Sequence, residues 1–149
     1  MNILFINGSP NKHGNTAALA AELLKGKEYE TLNLTDYTIG AYGQKLPGDG
    51  LTTVIKAMEK ANVIVVGSPL YWHNICGSVR NVLDRFYGRV ETGALKGRKL
   101  YFVFQGAAPE KWMLEAGDYT MGRFAGLYGM TYGGMATGKA EAAKLNETL

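Results

Sequence analysis

The sequence predicts a doubly wound α/β fold: a five-stranded parallel sheet with helices on both faces. Three observations predict it. Strand-like and helix-like segments alternate along the chain. The run Val63-Ile64-Val65-Val66 is continuously apolar, as in strands buried on both faces of a parallel sheet. Finally, Gly8–Thr16 (GSPNKHGNT) joins the apolar run Ile3–Ile6 to the helix-favouring Ala17–Ala20.

Asn2–Ile6 reads as the first strand, and Asn15–Leu24 as a helix that ends near Gly26. Tyr29–Leu34 alternates like a second strand. Asp36–Gly50 is too polar and too rich in Gly to pack as an element, so a loop is expected there. Leu51–Lys60 is a helix, and Val63–Val66 the third strand. Ser78–Tyr87 is helical, with Val79, Val82, Leu83 and Phe86 on one face. Leu100–Phe104 is a fourth strand, and Pro109–Leu127 a helix weakened in its middle by Gly117 and Gly122. Tyr128–Ala136 supplies the fifth strand and Lys139–Leu145 the last helix.

With 149 residues the chain fits one domain, residues 1–149, and 46% hydrophobic against 19% charged residues fits a soluble globular protein. Met1-Asn2-Ile3 leads into a strand without a basic, cleavable leader, and no apolar run approaches the roughly 18 residues that cross a bilayer. The expectations are a cytoplasmic location and no membrane association. The lone Cys76 cannot form an internal disulfide, which agrees with a reducing compartment. The formal charge of +3 is spread along the chain with no basic run interleaved with aromatics, so no nucleic-acid partner is expected.

In a doubly wound sheet, ligands bind beyond the carboxyl ends of the strands. Three segments of unusual composition fall there: Gly8–Thr16, Ser68–Asn74 and Gln105–Pro109. In the first, Ser9 and Thr16 supply hydroxyls, Lys12 a positive charge, and Asn15 a helix cap whose amide also reaches an oxygen. Backbone N–H groups and the helix dipole add to this, so the segment suits a phosphate. It is not a Walker loop, which ends Gly-Lys-Ser/Thr where this chain has Gly14-Asn15-Thr16, and no three glycines stand at G-x-G-x-x-G spacing. An ordinary capped βα turn is the alternative. The second segment, Ser68-Pro69-Leu70-Tyr71-Trp72-His73-Asn74, offers a flat aromatic wall for a ring with carbonyl edges, or else packing and interface residues. The third, Gln105-Gly106-Ala107-Ala108-Pro109, lets a flat ligand approach the backbone.

GSPNKHGNT, SPLYWHNICGSVRNVLDRF and FQGAAPEKW together resemble the flavodoxin-like NAD(P)H-dependent FMN reductases, including the flavin domain of iron–sulfur flavoproteins. The resemblance runs from Met1 to about Ala136 and implies a strand order 2-1-3-4-5. It also implies that Ser9, Asn11, Lys12, Asn15 and Thr16 hold the FMN phosphate. Pro69, Leu70, Tyr71, Trp72, His73 and Asn74 would lie along the isoalloxazine ring, and Gln105, Gly106 and Ala107 would flank it. Asn11 stands where the family often has arginine, a gap that Lys12 can fill. Asp36–Gly50 holds no cysteine where iron–sulfur flavoproteins carry their cluster, so no iron–sulfur cluster is expected.

The other constellations carry little. Cys76 and Arg80 are too close for a Cys-x5-Arg loop, and no His/Cys/Asp cluster has metal-ligand spacing. Asp84 and Arg85 read as a local ion pair. Trp112, Met113, Tyr119, Met121, Phe124 and Tyr128 form an apolar and aromatic array suited to core or dimer packing, with a substrate-shaping role over the flavin as the alternative. The expected function is an FMN-dependent oxidoreductase moving hydride from NADH or NADPH through flavin N5 to a small acceptor such as a flavin or quinone. No residue stands out as a general acid or base. The alternatives are a flavodoxin-type electron carrier, against which a pI near 8.9 weighs, and a regulatory flavin binder. The resemblance also implies a homodimer.

Overall fold

The parallel sheet forms because apolar residues at alternate positions of each strand meet helices on both sides. In the computed structural model, which describes Met1–Leu149, the elements are β1 (Ile3–Asn7), α1 (Asn15–Leu23), β2 (Glu30–Asn33) and α2 (Leu51–Lys60). They continue with β3 (Val63–Tyr71), β4 (Asn74–Ile75), α3 (Gly77–Arg85), β5 (Lys99–Gln105), α4 (Lys111–Leu127), β6 (Thr131–Ala136) and α5 (Lys139–Asn146). The sheet order is β2-β1-β3-β5-β6, with the two-residue β4 paired antiparallel to the end of β3. All other pairings are parallel.

Ile3, Phe5, Val63, Val65, Tyr101 and Val103 face α1 and α5, where they meet Leu19, Leu23 and Ala142. Leu4, Ile6, Ile64, Val66, Phe102 and Phe104 face the other way, onto Val54, Met58, Val79, Val82, Met121 and Phe124 of α2, α3 and α4. Each central strand therefore loses both faces to solvent exclusion, which is why Val63–Val66 carries no polar residue. The carboxyl ends of β1, β3 and β5 come together because β3 lies between the other two.

Several sequence-based boundaries move. β4 is an additional strand, and it exists because β3 runs five residues past Val66 and folds back. Tyr128 is not in β6: it caps α4 and packs its ring 4.9 Å from that of Phe86, and the strand begins at Thr131. α4 is one continuous helix through Gly117 and Gly122. Leu34–Asp36 forms a single 3-10 turn before the Asp36–Gly50 loop, which contains only the isolated bridge Thr38↔Asp49.

That loop is nonetheless fixed. Arg85 Nη1 donates to Asp49 Oδ2 at 2.6 Å and to the Gly40 carbonyl at 3.0 Å, and Asn81 Nδ2 donates to the Ile39 carbonyl. Arg85 thus pairs across the structure with Asp49 and not locally with Asp84; Asp84 is met by Arg80 one helical turn earlier, at 3.4 Å. The reason is direction: Arg85 points under the loop, while Asp84 lies a third of a turn away on the helix. No helix is long and apolar enough to cross a membrane.

Candidate functional site

The turn after β1 is built from a relay of side chains that each accept a backbone N–H two residues on. Asn7 Oδ1 accepts from Ser9 N, Ser9 Oγ from Asn11 N, and Asn11 Oδ1 from His13 N, each at 3.1 Å. Such Asx-type turns are the local alternative to a helix that short polar side chains offer. Asn7 is fully buried, and its Nδ2 donates to Asn33 Oδ1 of β2 at 3.1 Å, which anchors the relay to the sheet.

This wiring leaves specific donors free. The N–H groups of Lys12, Gly14, Asn15, Thr16 and Ala17 find no partner within the chain. Ser9 Oγ and Asn11 Oδ1 already accept a bond, so the Ser9 hydroxyl hydrogen and the Asn11 amide hydrogens remain to be donated outward. Asn15 does not cap α1. The cap position is Gly14, without a side-chain bond, and Asn15 is the first helical residue. The relay explains this: the Asn11 side chain covers Gly14, where a Cβ would stand 2.8 Å from Asn11 Nδ2 and would have to displace that amide. The uncapped start leaves the helix dipole facing the turn.

Thr16 is 1% exposed and Ser9 6%, so both hydroxyls belong to the floor of the turn. Gln105 Nε2, at the end of β5, donates to Thr16 Oγ1 at 3.2 Å. That bond joins the first and third segments across the end of β3, where Pro69 stands in register with Gln105. Lys12 Nζ is engaged with Asp36 Oδ1 at 2.7 Å, both half-exposed.

The second segment is not a loop throughout. Ser68, Pro69, Leu70 and Tyr71 extend β3, Leu70 pairs with Ile75 and Tyr71 with Asn74, and Trp72-His73 form a two-residue hairpin turn. Both turn residues have positive φ, 47° and 66°, as a type I′ turn requires. Neither is the Asn or Gly that usually takes that conformation, so the turn holds backbone strain of order 1 kcal/mol or more per residue. Its free edge is aromatic. Trp72 is 93% exposed, Tyr71 is exposed, and the His73 ring lies 5.9 Å from that of Trp112 at the start of α4. The N–H groups of Trp72, His73, Gly106, Ala107 and Ala108 also have no partner within the chain.

The structure therefore gathers Ser9, Asn11, Asn15, Thr16 and Gln105 around one group of free donors. Tyr71, Trp72, His73 and Asn74 form a neighbouring hairpin; Asn74 Oδ1 is turned back onto Ile75 N. Leu70 and Pro69 lie in the strand beneath, and Gly106 and Ala107 begin the segment after β5. The array on α4 divides: Met113, Met121, Phe124 and Tyr128 are buried, whereas Trp112 and Tyr119 are exposed. Residues missed by sequence reasoning are Asn7, Asn33 and Ser78. All three are short polar residues at the carboxyl end of a strand or the start of a helix, and that position was the available signal. A cavity of about 430 Å³ lies elsewhere, at the amino edge between Asn2, Glu30 and Lys60. It gathers none of the free donors.

Fold and site together define a flavodoxin-like α/β protein whose first βα turn presents hydrogen-bond donors at the carboxyl edge of the sheet. Residues 1–142 match the sequence model of the family described as NADPH-dependent FMN reductase, and the chain belongs to that family. An iron-sulfur flavoprotein of Archaeoglobus fulgidus is 38% identical over 100 residues, covering 57% of this chain and 48% of the relative. An iron-sulfur flavoprotein of Methanocaldococcus jannaschii is 31% identical over 99 residues, covering 57% and 51%. The chain spans about half the length of these relatives. Among solved structures, the Trp repressor binding protein from Bacillus subtilis shares the fold with a TM-score of 0.78 at 18% identity, over 96% of this chain and 99% of that one. A flavone reductase shares it with a TM-score of 0.79 at 18% identity, over 98% and 60%.

Proposed function

We propose that this chain binds FMN at the turn Gly8–Thr16 and works as an NAD(P)H-dependent flavin oxidoreductase. The observation that carries the reading is the set of unpartnered N–H groups at Lys12 and Gly14–Ala17, beside the buried hydroxyls of Ser9 and Thr16. A phosphate fits this site because it is all acceptor and the turn offers it the free N–H groups of Lys12, Gly14, Asn15, Thr16 and Ala17. Ser9, Asn11, Asn15 and Thr16 would hold the phosphate by hydrogen bonds, with Lys12 as the nearby positive charge. Pro69, Leu70, Tyr71, Trp72, His73, Asn74, Gln105, Gly106 and Ala107 would border the ring. The free N–H groups of Trp72, His73, Gly106, Ala107 and Ala108 can face its carbonyl edge, where they would favour negative charge.

When bound, FMN would supply the redox chemistry, hydride transfer between NADH or NADPH and a small acceptor such as a flavin or quinone. The protein's part is to bind, orient and partly shield. No side chain in the site is placed as a general acid or base. An iron–sulfur cluster forms no part of the reading, since Cys76 is the single cysteine and is buried. We also propose a homodimer, in which a second copy covers the exposed Trp72, Tyr71 and Trp112; a monomer in sedimentation at micromolar concentration would contradict it.

The test is an absorbance spectrum of the purified protein with FMN, before and after anaerobic NADH and NADPH. Bleaching of the flavin band at about 450 nm, a property of the cofactor itself, is the expected result and names the preferred donor. A protein that binds no FMN overturns the reading. Bound flavin that neither nucleotide reduces points instead to an electron carrier or a regulatory flavin binder.

A further inference from the structure

The peptide between Gly8 and Ser9 is held at both ends. Its N–H, that of Ser9, donates to Asn7 Oδ1 at 3.1 Å. Its carbonyl, that of Gly8, accepts from Ser78 Oγ at 2.7 Å, with Cys76 Sγ at 3.5 Å from the same oxygen. Ser78 and Cys76 lie 70 and 68 residues further along the chain, at the start of α3. That helix start is itself tied to β3, because Ser68 Oγ accepts from Cys76 N at 3.0 Å. Gly8 N–H donates to the Gly67 carbonyl at 2.8 Å, which completes a frame of β1, β3 and α3 around one residue. Gly8 must be glycine here, since a Cβ would run into the Val79 methyl group and the Gly67 carbonyl.

We infer that Ser78 is a positioning residue for the anion-binding turn: by drawing the Gly8 carbonyl toward α3, it holds that acceptor away from the turn's free N–H groups. The inference rests on the reading that the FMN phosphate sits at Gly8–Thr16. A carbonyl oxygen at the mouth of that turn would repel a dianion and would disturb the Ser9 N–H that starts the relay through Asn7, Ser9 and Asn11. The Ser78 hydroxyl is half-buried against a loop that precedes it by seventy residues. Cys76, with a weaker S–H donor 3.3 Å from Ser78 Oγ, is a minor contributor to the same role.

The effect must be specific to the phosphate, which separates it from a structural one. Binding of FMN and of riboflavin, which lacks the phosphate, is titrated by flavin fluorescence for the wild-type chain, Ser78→Ala and Ser78→Thr. The expected result is FMN binding about three- to tenfold weaker in Ser78→Ala, the range of one net hydrogen bond. Riboflavin binding is unchanged, and FMN affinity returns in Ser78→Thr, which keeps the hydroxyl. Unchanged FMN affinity in Ser78→Ala overturns the inference, as does an equal loss for both flavins. Should Ser78→Ala fail to fold, Ser78→Gly, which also lacks the hydroxyl, carries the test. A loss confined to FMN supports the role, and wild-type affinity for FMN overturns it. A wild-type chain that binds riboflavin as tightly as FMN overturns the phosphate site itself, an outcome visible before any variant is made.

Discussion

At the scale of single residues, charge placement decides most. Asp49 accepts from Arg85 at 2.6 Å and from the N–H groups of Gly40 and Leu51. The Arg85 bond, helped by those two N–H groups and partly offset by burial, lowers its carboxyl from 3.8 to about 2. A depressed folded value means that the ionised form stabilises the fold above about pH 4. That contribution, of order 1–2 kcal/mol after allowance for partial solvent screening, is lost as the pH falls from about 4 through 2. Urea midpoints between pH 6 and 2 should show this loss in the wild type and a flatter profile in Arg85→Met, which is also less stable at neutral pH. Equal slopes would mean that the pair contributes nothing. The half-exposed Lys12–Asp36 pair is a different case. Asp36 both occupies the turn's nearby cation and would repel a phosphate, so Asp36→Asn should tighten FMN binding about two- to fivefold and steepen its salt dependence. Weaker binding in a titration at two salt concentrations would show that Asp36 organises the turn instead.

At the scale of elements, two features run against local propensity. Gly117 stands in the middle of α4, where alanine would favour the helix by about 1 kcal/mol. A Cβ there, however, would collide with the ring of Phe104 on β5, which is fully buried. Overpacking of this kind costs about 1–3 kcal/mol, so the clash wins and Gly117→Ala should lower the urea midpoint. A raised midpoint would show that Phe104 can move aside. The Trp72-His73 turn is the opposite case, since strain is kept where Asn-Gly would remove it. The double variant Trp72→Asn/His73→Gly should unfold at a higher temperature, by about 1–2 kcal/mol of stability. It should bind FMN no better, because it removes the aromatic edge. The helices and β1, β2 and β5 were legible from periodicity to within a residue or two. β4 was not, because a type I′ turn is normally announced by Asn or Gly and here carries Trp and His.

At the scale of the molecule, a ligand that binds only the folded chain must stabilise it. FMN at about a hundred times its dissociation constant adds roughly 2.7 kcal/mol, which for a chain of this size raises the melting temperature by about 5–10 °C. Riboflavin at the same concentration should give a smaller shift, and equal shifts would remove the phosphate from the argument. The chain's membership of the FMN reductase family agrees with such a site.

The fold class was already present in the order of elements and in the two-sided apolar run Val63–Val66, because burial pattern and connection handedness leave few topologies open. The three segments that meet at the sheet's carboxyl edge were legible too, since Gly, Ser, Asn and aromatic residues cluster where that edge must lie. What only the tertiary structure decided is how those residues are used. It turned Asn7, Ser9 and Asn11 inward as acceptors, gave Lys12 to Asp36 and Arg85 to Asp49, and brought Ser78 to the Gly8 carbonyl. Each of these is a choice among several partners of similar chemistry. Sequence supplies the partners, and only the packing of β1, β3 and α3 fixes which of them lie within hydrogen-bond distance.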